Sequence, residues 1–133
     1  MIRIKRAYED ATPDDGTRVL VDRLWPRGVS KERIQIASWA KDVAPSTDLR
    51  TWFGHEPARW DGFQQRYEAE LQTNAAGWTP ILDAARAGDV TLIYGARDTE
   101  HNEAVVLQRF LQHRLDAGSS PGSSDNRKPR PDS

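Results

Sequence analysis

Two short runs of consecutive apolar residues, Val19-Leu20-Val21 and Val90-Thr91-Leu92-Ile93-Tyr94, limit what this chain can fold into. A strand with one face in water alternates apolar and polar residues. A continuous β-branched run suits a strand covered on both faces. Helix patterns fill the intervals. Trp60, Phe63, Tyr67 and Leu71 recur at spacings of 3, 4 and 4, which puts them on one helical face. Ala104, Leu107, Leu111 and Leu115 share a side of a final helix expected from about Glu100 to Leu115. Strands are expected at Ile2 to Tyr8, Arg18 to Leu24, a short stretch within Ile34 to Ala40, and Val90 to Tyr94. Strands interleaved with helices predict an α/β fold: a small, mainly parallel sheet flanked by helices on both faces, a three-layer sandwich.

Turn and cap residues divide the helical stretches. Ser46 after Pro45 reads as an N-cap, and Pro57 as an early helical residue. Gly77 is expected to end or follow the Trp60 helix. Thr79-Pro80 reads as the N-cap and first residue of another helix that stops at Gly88. Residues 1–115 are expected to form one domain. Asp116 to Ser133 has no apolar residue larger than Ala apart from Pro, and is expected to be a disordered tail. Its Arg127-Lys128-Pro129-Arg130 cluster reads chiefly as solvated charge.

Composition excludes several function classes. A chain of 133 residues without cysteine forms no disulfide scaffold, no thiolate zinc site and no cysteine nucleophile. No apolar run approaches the ~20 residues needed to span a bilayer, and the Met-Ile-Arg-Ile-Lys-Arg start has no apolar signal core. A cytoplasmic protein with no membrane partner is expected. With 19 Lys+Arg against 20 Asp+Glu, the net charge of −1 does not favour a strongly basic nucleic-acid binder. His55, His101 and His113 show no metal-ligand spacing, and no cofactor motif is present. Ser30 and Ser46 read as caps rather than nucleophiles. Five tryptophans need either a core or a site to hold them.

Ligands of open α/β sheets gather at the carboxyl ends of the strands. The segments expected there are Asp22-Arg23-Leu24-Trp25-Pro26-Arg27-Gly28, Lys41-Asp42, and Gly95-Ala96-Arg97-Asp98-Thr99-Glu100-His101-Asn102. In a parallel sheet, Arg23, Arg27, Lys41 and Arg97 are expected to converge on one rim. Two readings follow. Guanidinium groups suit phosphate or carboxylate, with Asp22, Asp42 and Asp98 orienting them. Alternatively, the same charges form a salt-bridge network around a loop-rich edge. Trp25 either plugs the core or stacks on a ligand ring, a role Tyr94 shares. Asp98 or Thr99 is expected to cap the final helix, and Asn102 to hydrogen-bond a ligand or the loop. The candidate ligand-binding set is Asp22, Arg23, Trp25, Arg27, Lys41, Tyr94, Arg97, Asp98 and Asn102. If chemistry occurs, Asp22 or Asp98 is the candidate acid or base, with His101 near the rim. No catalytic residue is assigned.

These blocks carry a resemblance. Val21-Asp22-Arg23-Leu24-Trp25-Pro26-Arg27-Gly28, Trp39-Ala40-Lys41-Asp42, Ala44-Pro45-Ser46 with Leu49-Arg50, Phe63-Gln64-Gln65-Arg66-Tyr67 with Glu70-Leu71, and Thr91-Leu92-Ile93-Tyr94-Gly95-Ala96-Arg97-Asp98 with Asn102 are similar to the bacterial YeaO-like proteins, a domain family of unknown function. The resemblance covers about residues 2–115. It implies a small cytoplasmic α/β domain and brings no reaction, cofactor or catalytic set. Three functional readings stand: a binder of a small anionic ligand, a nucleic-acid-binding accessory domain, or a protein-interaction module with an exposed tryptophan-containing patch.

Overall fold

The computed structural model describes residues 1–119. Four parallel strands form one sheet in the order β1-β4-β2-β3: β1 Ile2–Arg6, β2 Thr17–Leu20, β3 Ser38–Trp39 and β4 Val90–Tyr94. The two continuous apolar runs belong to the central strands β4 and β2, which pair over Thr17–Leu20. Each of these strands has neighbours on both edges and packing on both faces, which is why its side chains need not alternate with polar ones.

The faces separate by residue parity. Val19, Val21, Val90, Leu92 and Tyr94 pack into the larger core, under α2 (Thr47–Phe53), α3 (Trp60–Gln72), α4 (Ala75–Ala87) and α5 (Glu103–Ser119). Leu20 and Ile93 point the other way, into a smaller cluster with Ala7, Val29 and Ile34. That second face is covered by the four-residue helix α1 (Lys31–Ile34) and its flanking loops. Helices thus lie on both faces, unequally. The anticipated helical face holds: Phe63, Tyr67 and Leu71 of α3 are buried in the larger core, with Trp60 packed against it.

Local departures from the sequence reading have identifiable causes. β1 ends at Arg6 and β2 at Leu20, short of Tyr8 and Leu24. After Val21 donates to the Ile93 carbonyl at 3.0 Å, the chain turns away at Asp22. Helix α4 begins at Ala75, so Gly77 and Thr79-Pro80 lie inside it rather than at a boundary. Trp78 explains the difference. It is buried, its Nε1–H donates to the Leu71 carbonyl at 2.7 Å, and its ring meets Phe110 edge-on at 5.3 Å. Anchoring Trp78 draws the turn before Pro80 into the helix. Helix α5 starts at Glu103 rather than Glu100 and runs past Leu115 to Ser119. The rest of the expected tail lies outside the described residues. Ser46 and Ser30 are N-caps: Ser46 Oγ accepts from the Leu49 N–H at 3.2 Å, and Ser30 Oγ from the Arg33 N–H at 3.1 Å. Among the described residues no helix is long and apolar enough to cross a membrane.

Candidate functional site

A pocket of about 260 Å³ opens at the carboxyl ends of β2 and β4. Asp22, Arg23 and Leu24 enter it from the end of β2. Ala96 enters from the end of β4, and His101, Asn102 and Glu103 from the start of α5. Arg50 and Phe53 of α2, His55 after it and Phe63 of α3 complete the opposite wall with Ala44-Pro45. The volume sits just under the ~300–1,000 Å³ of drug-sized ligand sites, so it suits a small ligand.

The polar floor is built by strand-end geometry. Asp22 Oδ2 accepts the Gly95 N–H at 2.8 Å, while Oδ1 is buried and receives no donor among the described residues. Glu103 faces that carboxyl at hydrogen-bonding range. Burial pushes the Glu103 carboxyl well above its usual range, and the hydrogen bond and charge of Asp22 push it further, against the pull of Arg50.

Arg23 is a half-buried cation of the pocket. Its Nη2 donates to the carbonyls of Ala44 and Pro45 at 3.4 and 3.3 Å, and its buried Nε–H has no acceptor among the described residues. Arg50 is exposed on α2. The aromatic wall is continuous: Phe53 and Phe63 stack at 4.5 Å, Phe63 and Trp60 at 5.7 Å, and Trp60 meets His101 edge-on at 5.1 Å. Gly54 closes α2 in the left-handed conformation (φ 52°). His55 follows in the same region at φ 59°, a conformation that costs a non-glycine residue roughly 1 kcal/mol.

Asp98 and Asn102 organise the loop between β4 and α5. Asp98 Oδ1 accepts from the Glu100 and His101 N–H groups at 2.9 and 3.0 Å, and Oδ2 from His101 Nδ1 at 2.9 Å. The Glu100 N–H, followed by the His101 ring, holds the Asp98 carboxyl below its usual range. Asn102 is buried. It accepts the Val105 N–H at 3.1 Å on Oδ1 and donates from Nδ2 to the Asp98 carbonyl at 2.8 Å. Its Oδ1 thus caps α5, the job anticipated for Asp98 or Thr99, while its Nδ2 ties the helix start back to the loop.

Of the candidate ligand-binding set, the pocket gathers Asp22, Arg23 and Asn102, and His101, anticipated near the rim, joins them with Leu24 and Ala96 from the same segments. Trp25 packs with the second-face cluster. Its Nε1–H donates to the Val29 carbonyl at 2.6 Å, and it meets Trp39 edge-on at 5.4 Å. Lys41 Nζ lies 4.2 Å over the Trp39 ring. Arg27 and Arg97 are exposed and do not line the pocket. Tyr94 is buried in the larger core, and burial pushes its phenol up. Of the four cations expected to converge, only Arg23 enters the pocket. Each of the five tryptophans is buried or half-buried, and the large exposed apolar side chains among the described residues are Met1 and Leu24. Among those residues no three His, Cys, Asp or Glu side chains cluster to hold a metal ion.

Arg50, Phe53, His55, Phe63 and Glu103 lie outside the segments that strand-end reasoning singles out. Four of them come from the helical layer, which the strand-end rule does not inspect. Glu103 reads in sequence as an ordinary acid in a helix's first turn, where the helix dipole favours it.

The fold and site define a small parallel α/β domain with a polar pocket at the strand carboxyl ends. The family described as "Inactive DUF488-N3 subclade" matches residues 1–130, and the chain belongs to it. Uncharacterized protein Rv3073c of Mycobacterium tuberculosis (strain ATCC 25618 / H37Rv) is 42% identical over 113 residues, covering 85% of this chain and 95% of that protein. Uncharacterized protein YeaO of Escherichia coli (strain K12) is 40% identical over 111 residues, covering 84% and 96%. No solved structure gives a significant match to the chain.

Proposed function

We propose that this chain is a cytoplasmic protein that binds a small anionic ligand, of phosphate or nucleotide type, in the pocket at the carboxyl ends of β2 and β4. Arg23 carries the reading. A guanidinium has five N–H donors, and here the buried Nε–H is left without an acceptor among the described residues. Buried donors are nearly always satisfied, and a ligand oxygen in the pocket would satisfy this one. Arg50 lines the same pocket and adds a second positive charge. The "inactive" description of the family favours binding over turnover.

Thermal shift and calorimetry against inorganic phosphate, sugar phosphates and nucleoside monophosphates test the proposal. A ligand at 100 times its Kd should stabilise the fold by about 2.7 kcal/mol. Arg50→Ala, an exposed change, should weaken binding about tenfold, and Arg23→Ala should abolish it. Absence of stabilisation by every phosphate compound rejects the reading. Oligonucleotide binding with a steep salt dependence, without competition from mononucleotides, would move the assignment to nucleic acid.

A further inference from the structure

We infer that the ligand is a phosphorylated sugar whose hydroxyls are received by the Asp22–Glu103 carboxyl pair while its phosphate lies at Arg23 and Arg50. The inference rests on the anion reading above and names the ligand's other end.

Anion recognition explains Arg23 and Arg50 and leaves the acids on the pocket floor without a role. Two carboxyl groups in contact do not both ionise cheaply, because like charges at that separation repel. Both acids line the pocket, and Asp22 is fixed in place by the Gly95 N–H at 2.8 Å. Two carboxyl groups side by side present acceptor oxygens at close spacing. Vicinal hydroxyls match that pattern, since each hydroxyl donates one hydrogen bond and accepts others. A free cation would also suit two carboxyls, but it would enter a pocket that already holds Arg23 and Arg50. A neutral donor group attached to an anion satisfies both halves of the site.

The walls agree with this assignment. Phe53 and Phe63 line the pocket and give it an apolar wall against which the C–H groups of a sugar can pack. The volume of about 260 Å³ limits the enclosed portion to a group of pentose phosphate size. Ribose phosphate occurs free and as part of a nucleotide, and the pocket chemistry is common to the two.

The test is calorimetry on the full chain with inorganic phosphate, propyl phosphate, ribose 5-phosphate and adenosine monophosphate. Ribose 5-phosphate or the nucleotide should bind at least about tenfold more tightly than propyl phosphate, which has the anion and no hydroxyls. Whichever of the two binds more tightly identifies the source, and either supports the inference. In Glu103→Ala the advantage over propyl phosphate should fall at least fivefold. Glu103→Gln, which keeps an acceptor for the ligand and a donor for Asp22, should retain most of it. Equal binding of propyl and ribose phosphates by the unmodified protein overturns the inference and leaves the anion reading intact. Failure of all four to bind overturns both.

Discussion

Asp22 Oδ2 accepts the Gly95 N–H at 2.8 Å, so the chain leaving β2 is pinned to the chain leaving β4 where the pocket begins. The contact needs a bare backbone at position 95. A Cβ there would lie 3.1 Å from Asp22 Oδ2 and 3.6 Å from Pro26 Cβ. Gly95→Ala should therefore cost about 1–2 kcal/mol in denaturant unfolding, by pushing Asp22 off the strand end. Gly88→Ala is the control. A Cβ at position 88 meets nothing within 4 Å, and the backbone is extended there. That change should be neutral or stabilising by up to about 1 kcal/mol.

Glu103 makes the carboxyl pair measurable. Its carboxyl is raised by burial and by Asp22, and lowered by Arg50. Asp22→Asn should bring the Glu103 titration down, and Arg50→Ala should take it up, as followed by carboxyl-carbon NMR. The stability consequence has a definite sign. A carboxyl whose folded pKa exceeds its unfolded value of 4.5 makes the native state bind more protons, so stability falls as pH rises above 4.5. Glu103→Gln should be more stable than the parent at neutral pH, and the gain should disappear below about pH 4.5. A constant difference across pH would mean that Glu103 is not the group titrating.

The central strands were legible because burial on both faces leaves a mark that one residue type after another repeats. Val90–Tyr94 is observed with the limits read from sequence. The strand-end rule also located Asp22, Arg23 and Asn102 at the pocket. It could not sort the side chains around a strand end by face. Arg23 and Trp25 are two residues apart in a turn, where period-two logic no longer applies. One lines the pocket and the other packs behind the sheet. Strand-end reasoning reaches neither Arg50, which enters only through the blocks that carry the resemblance, nor Glu103, and for a different reason. An Arg on a short exposed helix and a Glu in a first turn are the commonest surface residues, and only tertiary placement sets them against Asp22 and Arg23.

Helix α4 offers a separate test. Pro80 is its sixth residue and supplies no N–H to the carbonyl four residues earlier, that of Ala76. Interior proline costs roughly 3 kcal/mol relative to alanine, less the ~0.4–1 kcal/mol by which proline restrains the unfolded chain. Pro80 is exposed, so no packing is lost on truncation. Pro80→Ala should raise stability by about 1–2 kcal/mol, seen as a higher Tm; a fall would show that α4 depends on a kink at this residue.

Trp25 separates packing from recognition. Its ring is half-buried against Trp39 and its N–H is bonded to Val29. Trp25→Ala should cost about 3 kcal/mol, at the low end for a large aromatic ring. Phosphate affinity, measured well below the variant's Tm, should change less than twofold. A tenfold loss of affinity at unchanged stability would place the ring against the ligand instead.

Asp15 governs the acid limit of the fold. Burial alone would raise its carboxyl, but the Thr12 N–H, the Lys5 ammonium, the Arg18 guanidinium and the Thr12 hydroxyl outweigh that and hold it at about 2, below the ordinary 3.8. Arg18 Nη1 lies 2.5 Å from Oδ2, and Lys5 Nζ 3.1 Å from Oδ1. These contacts knit β1 to β2 across β4, whose Thr91 hydroxyl also donates to the Asp15 carbonyl at 2.7 Å. A depressed carboxyl contributes stability that is complete above its unfolded pKa and lost as pH falls through the folded one. The difference corresponds to about 2.5 kcal/mol. Unfolding free energy should therefore decline from about pH 4 toward pH 2, after subtraction of the Glu103 contribution by working in Glu103→Gln. Asp15→Asn should remove that slope. It should also cost about 3 kcal/mol at neutral pH, because Lys5 and the buried Arg18 would keep their charges without a counterion.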